Sequence, residues 1–232
     1  MSILLDGLSL GAVYALIALG YTMVYGIAKM LNFAHGDVIM VGAYAIYSTM
    51  ALNTNPFIAM AVAIVVCTVM GIVIEKFAYK PLRGASPLAV LITAIGVSNL
   101  LQGIAQLIYG STSIAFTVAN FKTVHILGSE ISVGTILTLV VGAIIMIGLT
   151  LFVKKTRTGR AMLAVSEDSG AARLMGVNVD KIIMLTFAIG SALAAFASLF
   201  YIIRIPSVTP TLGAMPGIKA FTAAVIGGIG SI

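Results

Sequence analysis

Six long apolar runs, near residues 8–28, 37–52, 57–79, 88–109, 131–153 and 182–204, fill most of this chain and leave few places for charge. A helix needs roughly 20 mostly apolar residues to cross the hydrocarbon core of a bilayer, and inside lipid every backbone amide has to be paired within the protein. Runs of this length fit helices and are too long for barrel strands. With 60% of residues hydrophobic, 9% charged and a mean hydropathy of +1.15, the chain has too little polar material to clothe a water-facing surface. The expected fold class is therefore all-α: a polytopic transmembrane helical bundle of about six spans plus a broken or re-entrant C-terminal segment, 217–232. The second run is short for a full crossing. No basic segment precedes the first run and Asp6 stands at its start, so it reads as a retained span rather than a cleaved signal.

The placement of the 13 Lys and Arg orients the bundle, because cytoplasmic loops collect positive charge near helix ends. With the N-terminus outside, the inner gaps hold Lys29, then Lys76, Lys80 and Arg83, then Lys154, Lys155, Arg157, Arg160, Arg173 and Lys181. The outer gaps hold Lys122 and the edge residue Arg204, and Lys219 lies in the tail. The net charge of +6 is spread over span ends instead of forming a stripe, which argues against nucleic acid as a partner and for membrane lipid. Cys67, the one cysteine, sits inside an apolar run as a small packing residue.

Two segments depart from ordinary spans. Between the first two runs stands Leu31-Asn32-Phe33-Ala34-His35-Gly36-Asp37, whose Asn, His and Gly suit a broken or tightly turned backbone, either within the membrane or as a bare cytoplasmic turn. The second is the glycine-rich tail, preceded by Pro206, Pro210 and Pro216, which prevent simple continuation of the sixth helix. Broken backbone at membrane depth is where transporters place polar groups. The candidate pathway residues are thus Asn32, Phe33, His35, Gly36 and Asp37 at one end and Phe221, Gly227, Gly228 and Gly230 at the other, with structural roles equally open. Glycines such as Gly7, Gly11, Gly20, Gly42, Gly71, Gly96, Gly103 and Gly148 read as close-packing positions between helices. Glu75 with Lys76 reads as an interfacial, snorkelling pair at the inner end of the third span.

The gap 154–181 is too long for a tight turn and contains helix signals. Ser166 is a plausible N-cap, Glu167 and Asp168 fall in a first turn where the helix dipole favours anions, and Gly176 is a natural stop. A surface helix from Ser166 to Gly176 is expected, with a small apolar face along Ala171-Ala172-Arg173-Leu174-Met175. It is either a solvated linker or a docking helix for a cytoplasmic partner.

Gly159-Arg160-Ala161-Met162, the pattern Glu167-Asp168 then Ala171-Ala172 and Gly176-Val177-Asn178, the run Asn32 to Asp37 with Gly42-Ala43-Tyr44, and Lys219 through Ser231 together resemble bacterial high-affinity branched-chain amino acid ABC importer permeases of the H type. The resemblance runs end to end. It implies one permease domain over 1–232 with a cytoplasmic coupling loop at 154–181, in the bacterial inner membrane. It further implies a second permease subunit, two cytoplasmic ATP-binding subunits and a periplasmic amino-acid-binding protein as partners. ATP and magnesium would be bound by those partners and no cofactor by this subunit. The residues implied in ATPase coupling are Arg160, Ser166, Glu167, Asp168, Ala171, Ala172 and Gly176. Members usually continue beyond the equivalent of Ser231, so the chain reads as a C-terminally incomplete permease, and Leu163 and Gly170 replace residues common elsewhere in the family.

No Gly-x-x-x-x-Gly-Lys-Ser/Thr loop is present, so the subunit is not expected to be an ATPase, and Gly227-Gly228-Ile229-Gly230 lacks the context of a dinucleotide fingerprint. A membrane enzyme would need clustered His, carboxylates or a nucleophile with its base. The nearest alternative is a secondary transporter of small polar solutes, which would want an ionisable group at mid-membrane. None of the seven acids falls mid-span in the assignment above.

Overall fold

Helix starts follow local chemistry. Asn55 caps α3 (Pro56–Ile74), its side chain accepting from the Phe57 amide at 3.0 Å, and Pro56 fills the first helical position, where its absent N–H would have been unpaired anyway. Ser86 and Pro87 repeat the device for α4 (Pro87–Tyr109), Ser132 caps α5 (Val133–Lys155), and Asn178 caps α8 (Val179–Arg204). α1 (Ser2–Ala28) and α2 (His35–Met50) precede them. α6 (Arg157–Glu167), α7 (Ser169–Leu174) and α9 (Ala214–Ile226) are shorter. The computed structural model describes residues 2–119, 121, 123–126 and 129–228.

Among the described residues five helices are long and apolar enough to cross a membrane: Leu4–Ala28, Pro56–Leu82, Pro87–Tyr109, Val133–Lys155 and Val179–Arg204. The third expected span thus runs on past Ile74 through a π turn, Glu75–Tyr79, and a 3-10 turn, Lys80–Leu82. The second expected span is α2, whose 16 residues rise about 24 Å, less than the roughly 30 Å hydrocarbon thickness.

α8 is the hub, packing on α1, α2 and α3, and 67% of its most apolar stretch is buried against 22% in α4 and in α5, which leave one face to the surroundings. Small residues let the central backbones approach: Gly42 faces Ser198 and Cys67, and Gly71 faces Ser191 and the Phe187 carbonyl. The expectation that glycines mark packing holds there but fails at Gly7, Gly11, Gly96, Gly103 and Gly148, where an added Cβ would meet nothing within 4 Å.

The two ends of the bundle are distinct. At one end a cavity of about 710 Å³ is lined by Lys29, Arg83, Glu167, Asp168 and Arg173, which brings the three basic gaps together as the charge count requires. At the other, β1 (Ile114–Ala115) pairs antiparallel with β4 (Ser207–Val208), and β2 (Thr123–Ile126) pairs with β3 (Ser129–Ser132).

Candidate functional site

After Ala28 the chain turns back into the bundle instead of leaving it. Lys29 adopts a left-handed conformation at φ 55°, residues 29–34 fold inward, and α2 begins at His35. The depth is fixed by neighbours. His35 lies against Gly20 of α1, eight residues before that helix ends, so about 12 Å in from its end. Asp37 is buried and accepts from Ser98 and from Gln102 Nε2 (2.8 Å), and Ser98 is the midpoint of α4. The Cys67 thiol, midway along the third span, approaches the Val38 carbonyl at 3.5 Å. These contacts settle the open question about the Asn32-to-Asp37 run: it is an internal break, not a bare turn at the surface. They also correct the placement of the acids, since Asp37 stands at mid-bundle depth.

A second broken segment comes from the opposite end. Past β4 the chain dips inward, and α9 starts where α2 starts. An added Cβ on Gly36 would lie 2.5 Å from the Gly213 carbonyl oxygen, and one on Gly217 would lie 3.0 Å from the Tyr21 hydroxyl and 3.2 Å from Gly36 Cα. Two half-helices therefore meet, N-terminus to N-terminus, through backbone contact, with the positive ends of both dipoles turned toward one point. Aromatic rings frame the inner side: Tyr21 meets His35 edge-on at 4.9 Å and Phe221 at 5.8 Å, and Phe33 meets Phe221 at 5.1 Å. Asn32 Oδ1 accepts from the Tyr79 hydroxyl at 2.9 Å, which ties the returning loop to the third span.

Of the sequence candidates, Asn32, Phe33, His35, Gly36, Asp37 and Phe221 come together at this junction. Gly227 and Gly228 do not: both are exposed beyond the end of α9, Gly228 at φ 92°. Gly230 lies outside the described residues. Gly213, Gly217 and Tyr21 were missed. Gly213 and Gly217 sit four apart around Pro216, the small-xxx-small spacing that marks close helix approach, but the stretch gives no hint of its partner.

At the end of the bundle where the basic gaps gather, the expected helix from Ser166 to Gly176 is two helices, α6 and α7. Ser166 is not the N-cap. It lies inside α6, its hydroxyl donating back to the Leu163 carbonyl at 2.7 Å, and the cap is Asp168, whose Oδ1 accepts from Gly170 N at 2.8 Å and Ala171 N at 3.0 Å. Asp168 belongs to the corner between the helices and not to a first turn following Ser166. The run Ser166-Glu167-Asp168-Ser169 offers several capable caps, and burial decides among them: Met162 and Val165 place one face of α6 on the bundle, which carries that helix to Glu167. Gly176, at φ 84°, is the left-handed stop that was expected.

Ala172 is buried and faces the bundle, whereas Leu174 and Met175 are 90% and 85% exposed. Arg160, Glu167 and Ala171 are also exposed. The outward apolar surface is therefore the end of α7. The entry into α6 is rigid: Thr156 accepts from Gly159 N at 2.9 Å and donates to the Phe152 carbonyl at 2.7 Å, and Gly159 packs directly on the Phe152 and Val153 carbonyls, leaving no room for a Cβ.

Glu75 overturns the snorkelling reading. It is 2% exposed and paired with Arg83, which also binds Asp180 at the start of α8, while Lys80 reaches Asp180 at 3.4 Å. This network clamps the third span to α8 beside the α6–α7 element. The eight-residue separation of Glu75 and Arg83 gave no helical pairing signal, and the π and 3-10 turns bring them together.

Residues 3–232 match the family described as "Branched-chain amino acid transport system / permease component". The high-affinity branched-chain amino acid transport system permease protein BraD of Pseudomonas aeruginosa is 44% identical over 99% of this chain and 79% of its own length. The corresponding LivH of Escherichia coli K12 is 43% identical over 98% and 78%, and a probable branched-chain amino acid transport permease protein of Methanocaldococcus jannaschii is 30% identical over 92% and 70%. No solved structure matches.

Proposed function

Because the chain belongs to the branched-chain amino acid transport permease family, we infer that it is the membrane-spanning subunit of an ABC importer that carries branched-chain amino acids across the inner membrane. The observation that carries this reading is identity of more than two-fifths to such permeases along nearly the whole chain. Mid-bundle Asp37 is what a secondary transporter would also want, so acid placement no longer separates the two classes; family membership does.

In this reading the chain pairs with a second permease subunit, receives cargo from a periplasmic binding protein, and takes its energy from two cytoplasmic subunits that hold ATP and magnesium. Its own residues transmit force and form the path. Leu174 and Met175 present the apolar contact to an ATP-binding subunit. Met162, Val165 and Ala172 key α6 and α7 into the bundle, so a push on α7 reaches α1 and α8 rather than dissipating in a hinge. A motor can shift a two-state equilibrium only through differential contacts with the two states, and a rigid lever supplies them. α1 carries Gly20 and Tyr21 to the junction, so its displacement unpacks His35, Phe221 and the Gly36–Gly213 contact, which serves as the constriction.

The test is uptake of labelled leucine by proteoliposomes holding the full importer and its binding protein. Uptake should require ATP and the binding protein. Accumulation driven by an ion gradient without ATP would replace this reading by that of a secondary transporter.

A further inference from the structure

At the outer end of the bundle, far from the lever, a cavity of about 350 Å³ lies where α1 and α5 begin and α8 ends. It is unlike the apolar crevices elsewhere. Asp6 and Arg204 face it with opposite charges, Ser9 and Thr135 add hydroxyls, and Ile203 and Ile205 add branched apolar surface. Asp6 Oδ1 and Arg204 Nη1 stand 3.6 Å apart, beyond the 2.7–3.2 Å of a hydrogen bond, with side-chain exposures of 52% and 31%. A loose, exposed pair adds little to stability, and at this separation the two groups make no hydrogen bond to each other.

We propose that this cavity is an outer-face site for a zwitterionic α-amino acid. The Asp6 carboxylate takes the α-ammonium, and the Arg204 guanidinium, a planar fork matched to carboxylates, takes the α-carboxylate. Ile203 and Ile205 face the aliphatic side chain. The volume is at the lower end of the range for small-molecule sites, which suits a free amino acid and not a peptide. An ammonium beside an anionic group is also the chemistry of a phosphatidylethanolamine headgroup, so the test must separate the two sources. The proposal rests on the amino-acid permease reading and adds to it a station on the permease itself, between binding protein and junction.

The experiment uses the full importer in nanodiscs of phosphatidylglycerol alone or with phosphatidylethanolamine, without binding protein or nucleotide. Labelled leucine is competed with unlabelled leucine, 4-methylpentanoate (no ammonium) and 3-methylbutylamine (no carboxylate). Leucine should compete at least tenfold better than either analogue. Asp6→Asn should bring leucine and 4-methylpentanoate to within about threefold of each other, and Arg204→Gln should do the same for leucine and 3-methylbutylamine. A structural ion pair would instead weaken all three ligands together, and that result, or leucine binding untouched by both variants, overturns the proposal. So does leucine binding that is lost in the discs containing phosphatidylethanolamine and, in the phosphatidylglycerol discs, displaced by glycerophosphoethanolamine as well as by leucine, which assigns the cavity to lipid. ATP-driven uptake in the same preparations tells the two levels apart: uptake without this binding removes the site alone, and no amino-acid uptake under any condition removes the permease reading.

Discussion

The mid-bundle junction and the α6–α7 element solve opposite problems with the same backbone. At the junction two half-helices touch through glycines with no side chain between them, and polar groups such as Asn32 and Asp37 are buried with named partners. In α6 and α7 the helices are short and half-exposed, and hold their shape through caps and a few buried apolar residues. Burial makes the first intolerant of one methyl group, because protein interiors are close-packed and cannot yield locally. Exposure makes the second tolerant of most changes and sensitive at its caps.

The largest expected effect tests that contrast directly. Gly213→Val would drive its Cβ into the Gly36 carbonyl, and overpacking of a backbone contact costs about 3 kcal/mol or more. The purified importer should lose its monodisperse peak or fall sharply in Tm, whereas Gly96→Ala, where nothing lies within 4 Å, should leave both unchanged. Equal behaviour of the two variants would mean that the junction is not packed as described.

Next in size is Asp37→Ala, which leaves Ser98 and Gln102 without their buried acceptor, at a cost of about 1–3 kcal/mol. Hydrogen exchange should speed up around residues 98–102 of α4, and unaltered exchange would show that α4 is held by other contacts.

At the lever, Asp168→Ala removes the α7 cap and should cost about 1 kcal/mol, with uptake per ATP hydrolysed dropping severalfold while Tm moves little. Ser166→Ala is the smallest change. Its hydroxyl bonds back within α6, so stability should stay within about 0.5 kcal/mol and transport should be unaffected. A larger loss at Ser166 than at Asp168 would restore Ser166 as the cap.

The helical class, the long spans and the gathering of the basic gaps at one end of the bundle were legible from the sequence, because span length and loop charge are set by the bilayer rather than by contacts. The Asn32-to-Asp37 run announced a broken backbone through residues that suit neither a helix interior nor lipid. Helix in 166–176 was legible through its capping residues and the stop at Gly176, but Ser166 was read as the cap in place of Asp168, because the run of competing caps hid where one helix ends and the next begins. Glu75 was misread because adjacency to Lys76 is visible in a sequence and pairing with Arg83 across a π turn is not.

What the chain fixed unaided was where backbone could leave the helix and which ends of the spans gather the basic residues, since both follow from local chemistry and the solvent. Tertiary packing alone decided that Gly36 meets Gly213, that Asp37 reaches the middle of α4, and that Asp6 faces Arg204. Each joins residues 61 or more positions apart, and no periodicity of helix or strand carries information over that distance.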